Sequence, residues 1–279
     1  MPYVAWQEAS ATASQIYVKH LTGAAWVQDV AGSLNVDTSK NAAAPAIAIT
    51  GTTPYVAWEE QGTSAKQIFV RQWSGTSWAQ LGGSLSTSPG LDATHASIAL
   101  ASTTPYVAWE QQTAGGTHTL QVKHWTGSAW VQDGPILNVS PTADAREPMI
   151  AIGGGVPYVT WRETLGATTS VYVAHWTGTT WVLDGSSLSN DPTKSIASPA
   201  ITFSGATPYV AWREATGSAF QIFVKHLNGS TWIQNGASLN ATATVSAFAP
   251  AMSFDGANPY AAWSEAAGSL YAIRVKRLE

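Results

Sequence analysis

The chain has 279 residues, 45% of them apolar and only 11% charged, with a net charge of −4; that is ample core material, and the lack of a basic stripe argues against a nucleic-acid surface. It contains no cysteine, which excludes disulfides, a thiolate nucleophile and cysteine-based metal sites. No run of 18 apolar residues offers a membrane span, and Met1-Pro2-Tyr3 opens directly on a structural motif without an export signal, which fits a cytoplasmic chain or a trimmed secreted one.

The motif Pro-Tyr-Val-Ala-Trp-x-Glu begins at Pro2, Pro54, Pro105, Pro157, Pro208 and Pro259, with Gln111 for the last residue in the third copy, Thr160 for Ala in the fourth and Ala261 for Val in the sixth. The steps are 52, 51, 52, 51 and 51 residues, a fixed long period that signals a repeat architecture. Four strands are predicted in each unit. In the second they are an inner strand A over Pro45–Ile49, B over Tyr55–Glu60, C over Ile68–Trp73 and D from Trp78 to Leu81. All are rich in β-branched and aromatic residues and separated by Gly, Thr, Ser and Asn. A-to-B and C-to-D joins are tight, B-to-C moderate, and D-to-A long, from Gly82 to Ala96. A four-stranded meander followed by one crossover is the chaining of an all-β propeller, one domain over residues 1–279.

Tryptophan carries much of the pattern. Six of the 14 close strand B (Trp6, Trp58, Trp109, Trp161, Trp212, Trp263) and five open strand D (Trp26, Trp78, Trp130, Trp181, Trp232); repeated in this way they are expected to pack between blades. Trp73, Trp125 and Trp176 stand where other units have Leu at the end of strand C, so they are candidates for ligand stacking.

Polar candidates ring the end of strand B: Glu60, Gln111, Glu163 and Glu214, with Arg162 and Arg213 where other units carry Glu59 and Glu110. The repeated carboxylates are expected either to accept crossover N–H groups or to face a ligand. His20, His124, His175 and His226 end strand C, one per unit and too far apart for chelation, so neither a metal nor a cofactor is expected. Glycoside hydrolysis needs two converging carboxylates. The repeated Glu are a blade apart, and Asp144-Ala145-Arg146-Glu147, assigned to a crossover, is the nearest to a unit-specific charged group.

The run Trp73-Ser74-Gly75-Thr76-Ser77-Trp78-Ala79-Gln80-Leu81-Gly82-Gly83-Ser84-Leu85 resembles blades of tectonin-type and fucose-binding propeller lectins. That resemblance extends to every unit and implies shallow sugar pockets between blades, built from an aromatic ring and polar partners, although the Pro-Tyr-Val-Ala-Trp-x-Glu strand has no match among their sugar contacts. The turn Asn228-Gly229-Ser230-Thr231-Trp232 is also similar to that of Asp-box sialidase propellers, but the Asp is missing and no arginine cluster accompanies it.

The resulting expectation is a non-enzymatic, multivalent carbohydrate-binding propeller with glycans as partners. The alternative is a structural or protein-interaction scaffold, with engineered symmetry as one origin, suggested by the likeness of Ser33-Leu34-Asn35, Ser84-Leu85-Ser86 and Ser238-Leu239-Asn240 at places where packing is not expected to require it. The strand count is 22: B, C and D of a first unit, four full units, and A, B and C of a last. Six blades are favoured, the first lacking its inner and the last its outer strand, because a five-bladed ring would expel Pro259–Glu279 with its core-type Trp263 and Ile273. Unpaired strand edges at a seam between Glu279 and Met1 would then invite self-association.

Overall fold

A computed structural model describes residues 1–256 and 258–278, so Glu279, the last residue of the expected seam, lies outside the described part. Alternating β-branched and aromatic residues produce strands throughout: among the described residues there are 22, and no helix. The chain divides into two compact units, 1–136 and 137–279.

The first unit holds three antiparallel sheets. The first is β1 (Tyr3–Ala9), β2 (Ser14–Thr22) and β3 (Ala25–Gln28); the second is β4 (Ala42–Thr50), β5 (Thr53–Gln61), β6 (Lys66–Trp73) and β7 (Trp78–Gln80); the third is β8 (Ala93–Ala101), β9 (Thr104–Gln112), β10 (His118–Trp125) and β11 (Trp130–Gln132). In the second unit the sheets are β12 (Asp144–Gly153), β13 (Val156–Leu165), β14 (Thr168–Trp176) and β15 (Trp181–Leu183); β16 (Ile196–Ser204), β17 (Thr207–Thr216), β18 (Ala219–Asn228) and β19 (Thr231–Gln234); and β20 (Ala247–Phe254), β21 (Pro259–Ala267) and β22 (Leu270–Arg277). These six meanders are the blades of a β-propeller. Residues after Pro259 form a blade with β20, which excludes the five-bladed alternative.

Strand A is longer than its apolar run suggests. In every blade that has one it begins some three residues earlier and carries a bulge: between Ala43 and Ala46 in β4, Thr94 and Ser97 in β8, Arg146 and Met149 in β12, Ala197 and Ala200 in β16, and Phe248 and Ala251 in β20. Asp144 to Glu147 therefore lie in strand β12, not in a crossover. One residue of each bulge has a positive φ (Ala44, His95, Glu147, Ser198, Ala249), and in four blades a proline follows it, tolerated because a bulge leaves the ladder locally unpaired. The B-to-C joins are of moderate length in the first unit, as between Gln61 and Lys66, and tighten in the second, where Thr216 pairs with Ala219.

Blades pack face to face through one repeated arrangement. Ile16 and Val18 of β2 meet Ala42, Val56 and Trp58 of the next blade, and Ile222 and Val224 of β18 meet Ala247, Ala261 and Trp263. The tryptophans ending strand B are fully buried at Trp58, Trp109, Trp161 and Trp212. The crossover leucines Leu34, Leu85, Leu188 and Leu239 are buried as well, and their N–H groups donate to Ile16, Ile68, Val171 and Ile222. The leucine of the recurring Ser-Leu run is thus required by packing, so its repetition is no sign of engineered symmetry.

Two tryptophans separate burial from mere repetition. Trp58→Ala is expected to lower unfolding free energy by about 3–5 kcal/mol. Trp26, 48% exposed, should cost less than about 1 kcal/mol on the same change. Denaturant midpoints check both, and equal losses would contradict the packing assignment.

Candidate functional site

Alternation along strand B places Trp and Glu of the motif on one side and the intervening residue x on the other. On the Trp side the indole N–H of Trp58 donates to Glu60 Oε2 at 2.9 Å, and the same carboxylate accepts Val36 N at 2.8 Å and Asp37 N at 2.7 Å. Glu163 takes Trp161, Val139 N and Ser140 N; Glu214 takes Trp212, Asn190 N and Asp191 N; Glu265 takes Trp263, Ala241 N and Thr242 N. Gln111 accepts Thr87 N and Ser86 Oγ and turns its amide N–H toward Leu91 O. Burial alone would push the Glu265 carboxyl up, but the bonds from Ala241, Trp263 and Thr242 and the charge of Arg274 hold it below the usual carboxylate value. These residues clamp the crossovers, and their oxygens point at backbone.

Position x is where chemistry varies. Glu59 and Glu110 are both buried and belong to successive blades, yet both reach His95 at the bulge of β8. Glu59 Oε2 accepts the His95 backbone N–H at 3.1 Å and Glu59 Oε1 lies 2.6 Å from Lys66 Nζ. Glu110 Oε2 lies 3.3 Å from His95 Nδ1 and accepts Thr94 Oγ1 at 3.3 Å. The imidazole itself is 57% exposed. One histidine thus links two carboxylates of adjacent blades.

In the second unit the same geometry carries cations. Glu147, at the bulge of β12, pairs with Arg162 Nε at 3.3 Å and accepts Ser198 N at 2.5 Å, while Arg146 binds Asp144 at 3.0 Å. Arg213 lies over the rings of Phe220 and Phe248, 4.9 and 5.4 Å from their centroids.

The other sequence candidates lie at the opposite end of strand B. Trp73, Trp125 and Trp176 are half-buried and rest on Trp78, Trp130 and Trp181, with ring centroids 5.6, 5.4 and 5.3 Å apart. Trp73 lines an open cleft of about 640 Å³ with Tyr3, His20 and Asp29, and Trp125 one of about 600 Å³ with Tyr55, Gln72 and His124. The histidines there are oriented by partners that sequence reading did not identify. His20 Nδ1 is 2.6 Å from Asp29, His124 2.7 Å from Asp133, His175 2.9 Å from Asp184 and His226 2.8 Å from Asn235. His95 was missed too, although it stands outside the repeated histidine position, which was the available signal.

No protein-family model matches the sequence, and no curated protein resembles it significantly in sequence. Solved structures do share its fold. A sialidase from Trypanosoma rangeli, bound to the inhibitor DANA, aligns over 96% of this chain and 50% of its own with a TM-score of 0.58 and 11% identity. A Hadza microbial sialidase aligns over 96% and 64%, with a TM-score of 0.58 and 9% identity. A glycoside hydrolase aligns over 86% and 88%, with a TM-score of 0.50 and 12% identity. The chain spans half the length of the first and under two thirds of the second.

The expectation of a non-enzymatic lectin-like or scaffold propeller is therefore corrected. Those fold neighbours are propeller enzymes acting on carbohydrate. Nor do all the carboxylates stay a blade apart: the bulge of strand A brings Glu59 and Glu110 of adjacent blades to one histidine.

Two tests follow. Glu60→Ala strands three buried donors and should cost about 3–5 kcal/mol, whereas Glu60→Gln, which copies Gln111, should cost under about 2 kcal/mol; comparable losses in thermal or denaturant unfolding would refute the clamp. Burial raises the Asp133 and Asp184 carboxyls, partly offset by the hydrogen bonds and charges of His124 and His175. Each then holds its proton longer folded than unfolded, so its contribution to stability declines as pH rises above about 4. A variant with Asp133→Asn and Asp184→Asn, copying Asn235, should show a shallower decline as pH rises above about 4; a decline as steep as that of the unmodified protein contradicts this.

Proposed function

We propose that the chain is a carbohydrate-processing propeller, with hydrolysis of a glycosidic bond centred on Glu59, His95 and Glu110. The observation that carries this reading is the meeting of two buried carboxylates from neighbouring blades at one solvent-facing imidazole. His95 presents the proton-transferring nitrogen to the substrate; Glu110, beside Nδ1, orients the ring and stabilises its charged form. Glu59, braced by Lys66, holds the strained His95 backbone and supplies the second carboxylate. The sialidase and glycoside hydrolase neighbours support carbohydrate as the substrate class by analogy of fold, and Trp73 and Trp125 suit contact with glycan regions away from the reacting bond.

Release of the fluorophore from a panel of 4-methylumbelliferyl glycosides, including a sialoside and an arabinoside, tests the proposal. Turnover is expected on at least one substrate, with kcat lowered about 10²–10⁴-fold by His95→Ala or Glu110→Gln and little changed by Glu163→Gln. No turnover on any substrate, or turnover that survives both changes, refutes it.

A further inference from the structure

Two strand-A bulges present a backbone N–H to a carboxylate. Glu59 accepts the N–H of His95, and Glu147 accepts that of Ser198 while its other oxygen lies 3.3 Å from Arg162 Nε. At Ser198 a carboxylate is therefore held between a bulge N–H and an arginine of the preceding blade.

One period further on, within the same unit, this frame recurs without its carboxylate. Arg213 stands 51 residues after Arg162, and Ala249 stands 51 after Ser198. The backbone is repeated too: Ala249 has a φ of 49° against 56° for Ser198, and the register shifts between Phe248 and Ala251 as it does between Ala197 and Ala200. The N–H of Ala249 is thus directed as that of Ser198 is, but no side chain of the described residues accepts it. The counterpart of Glu147 is Ser198, which brings no carboxylate. Among the described residues no acidic side chain pairs with Arg213, and its Nε is buried without a hydrogen-bond partner.

The walls of the site change as well. Where the preceding junction has Thr169 and Ala197, this one has Phe220 and Phe248, whose ring centroids lie 4.9 and 5.4 Å from the Arg213 guanidinium carbon. Rings on a guanidinium fix its plane and keep water from its faces, which strengthens its attraction for an anion. A planar carboxylate fits the edge of that fork, and the rings favour an apolar body behind it. Ala249 is exposed, and Arg213, Phe220 and Phe248 are each partly exposed, so a small molecule can reach them.

We infer that Arg213 and the N–H of Ala249 form a binding site for a small ligand whose carboxylate is carried on an apolar body. One carboxylate oxygen accepts from the guanidinium and the other from Ala249, as the oxygens of Glu147 do with Arg162 and Ser198, while the body lies against Phe220 and Phe248. Such a site operates independently of glycoside hydrolysis at His95.

Titration calorimetry and amide NMR on the full chain, with benzoate as the probe, test this. Benzoate should saturate one site and shift the Ala249 amide resonance. Its neutral analogue benzamide, and tetrahedral sulfate, should each bind at least about tenfold more weakly, about 1.4 kcal/mol. Arg213→Gln should weaken benzoate binding by at least the same factor. Ser198→Glu supplies to Ala249 the carboxylate that Glu147 supplies to Ser198, on a backbone whose φ of 56° matches that of Glu147. It should abolish benzoate binding while the denaturant midpoint stays level or rises. Absence of saturable binding, equal binding of benzamide or sulfate, benzoate binding undiminished in either variant, or a midpoint lowered by Ser198→Glu would overturn the inference.

Discussion

A carboxylate can be buried only if its oxygens are satisfied, and in this protein that requirement organises the repeat. Glu60, Glu163, Glu214 and Glu265 each accept an indole N–H from two residues upstream and two consecutive N–H groups from the preceding crossover. The indole is immobilised between blades while the crossover is held on one path. That path sets Leu34, Leu85, Leu188 and Leu239 over strand C, where their N–H groups extend its hydrogen bonding. A near-constant period follows, because lengthening or shortening the crossover would misalign both the clamp and the leucine.

With the crossover held, strand A must enter its sheet and then recover register through a bulge. In each of the five blades with a strand A, the bulge turns one residue to a positive φ and lifts it out of the regular ladder. In two places a carboxylate of the preceding blade takes up that residue's N–H: Glu59 at His95 and Glu147 at Ser198. Structure common to all blades thus creates a position at which side chains are free to differ. His95 and Glu147 occupy it, and Glu59, Glu110, Arg162 and Arg213 face it from strand B. Structural uniformity and chemical individuality are carried by opposite sides of the same strand.

The junctions that seal Trp58 and Trp212 reuse the same apolar positions in each blade. Ile273, Val275 and Val4 are apolar because the repeat makes them so, and they are exposed counterparts of residues that the interior junctions bury.

The period of the motif, its β-branched strands and its turn residues determined the fold class, the blade count and the incomplete outer blades, because these depend on alternation and spacing along the chain. The Trp-to-Glu relationship was legible as well, since residues two apart on a strand share a face. What tertiary structure alone decided is which groups from different blades meet. The bulge falls just before the apolar run of strand A, among residues such as Thr94-His95 that read as loop. Its register shift brings Glu59 and Glu110, 51 residues apart, to one imidazole. The aspartates opposite His124 and His175 lie beyond the end of strand D, and only the pairing of strands C and D brings them within hydrogen-bonding distance.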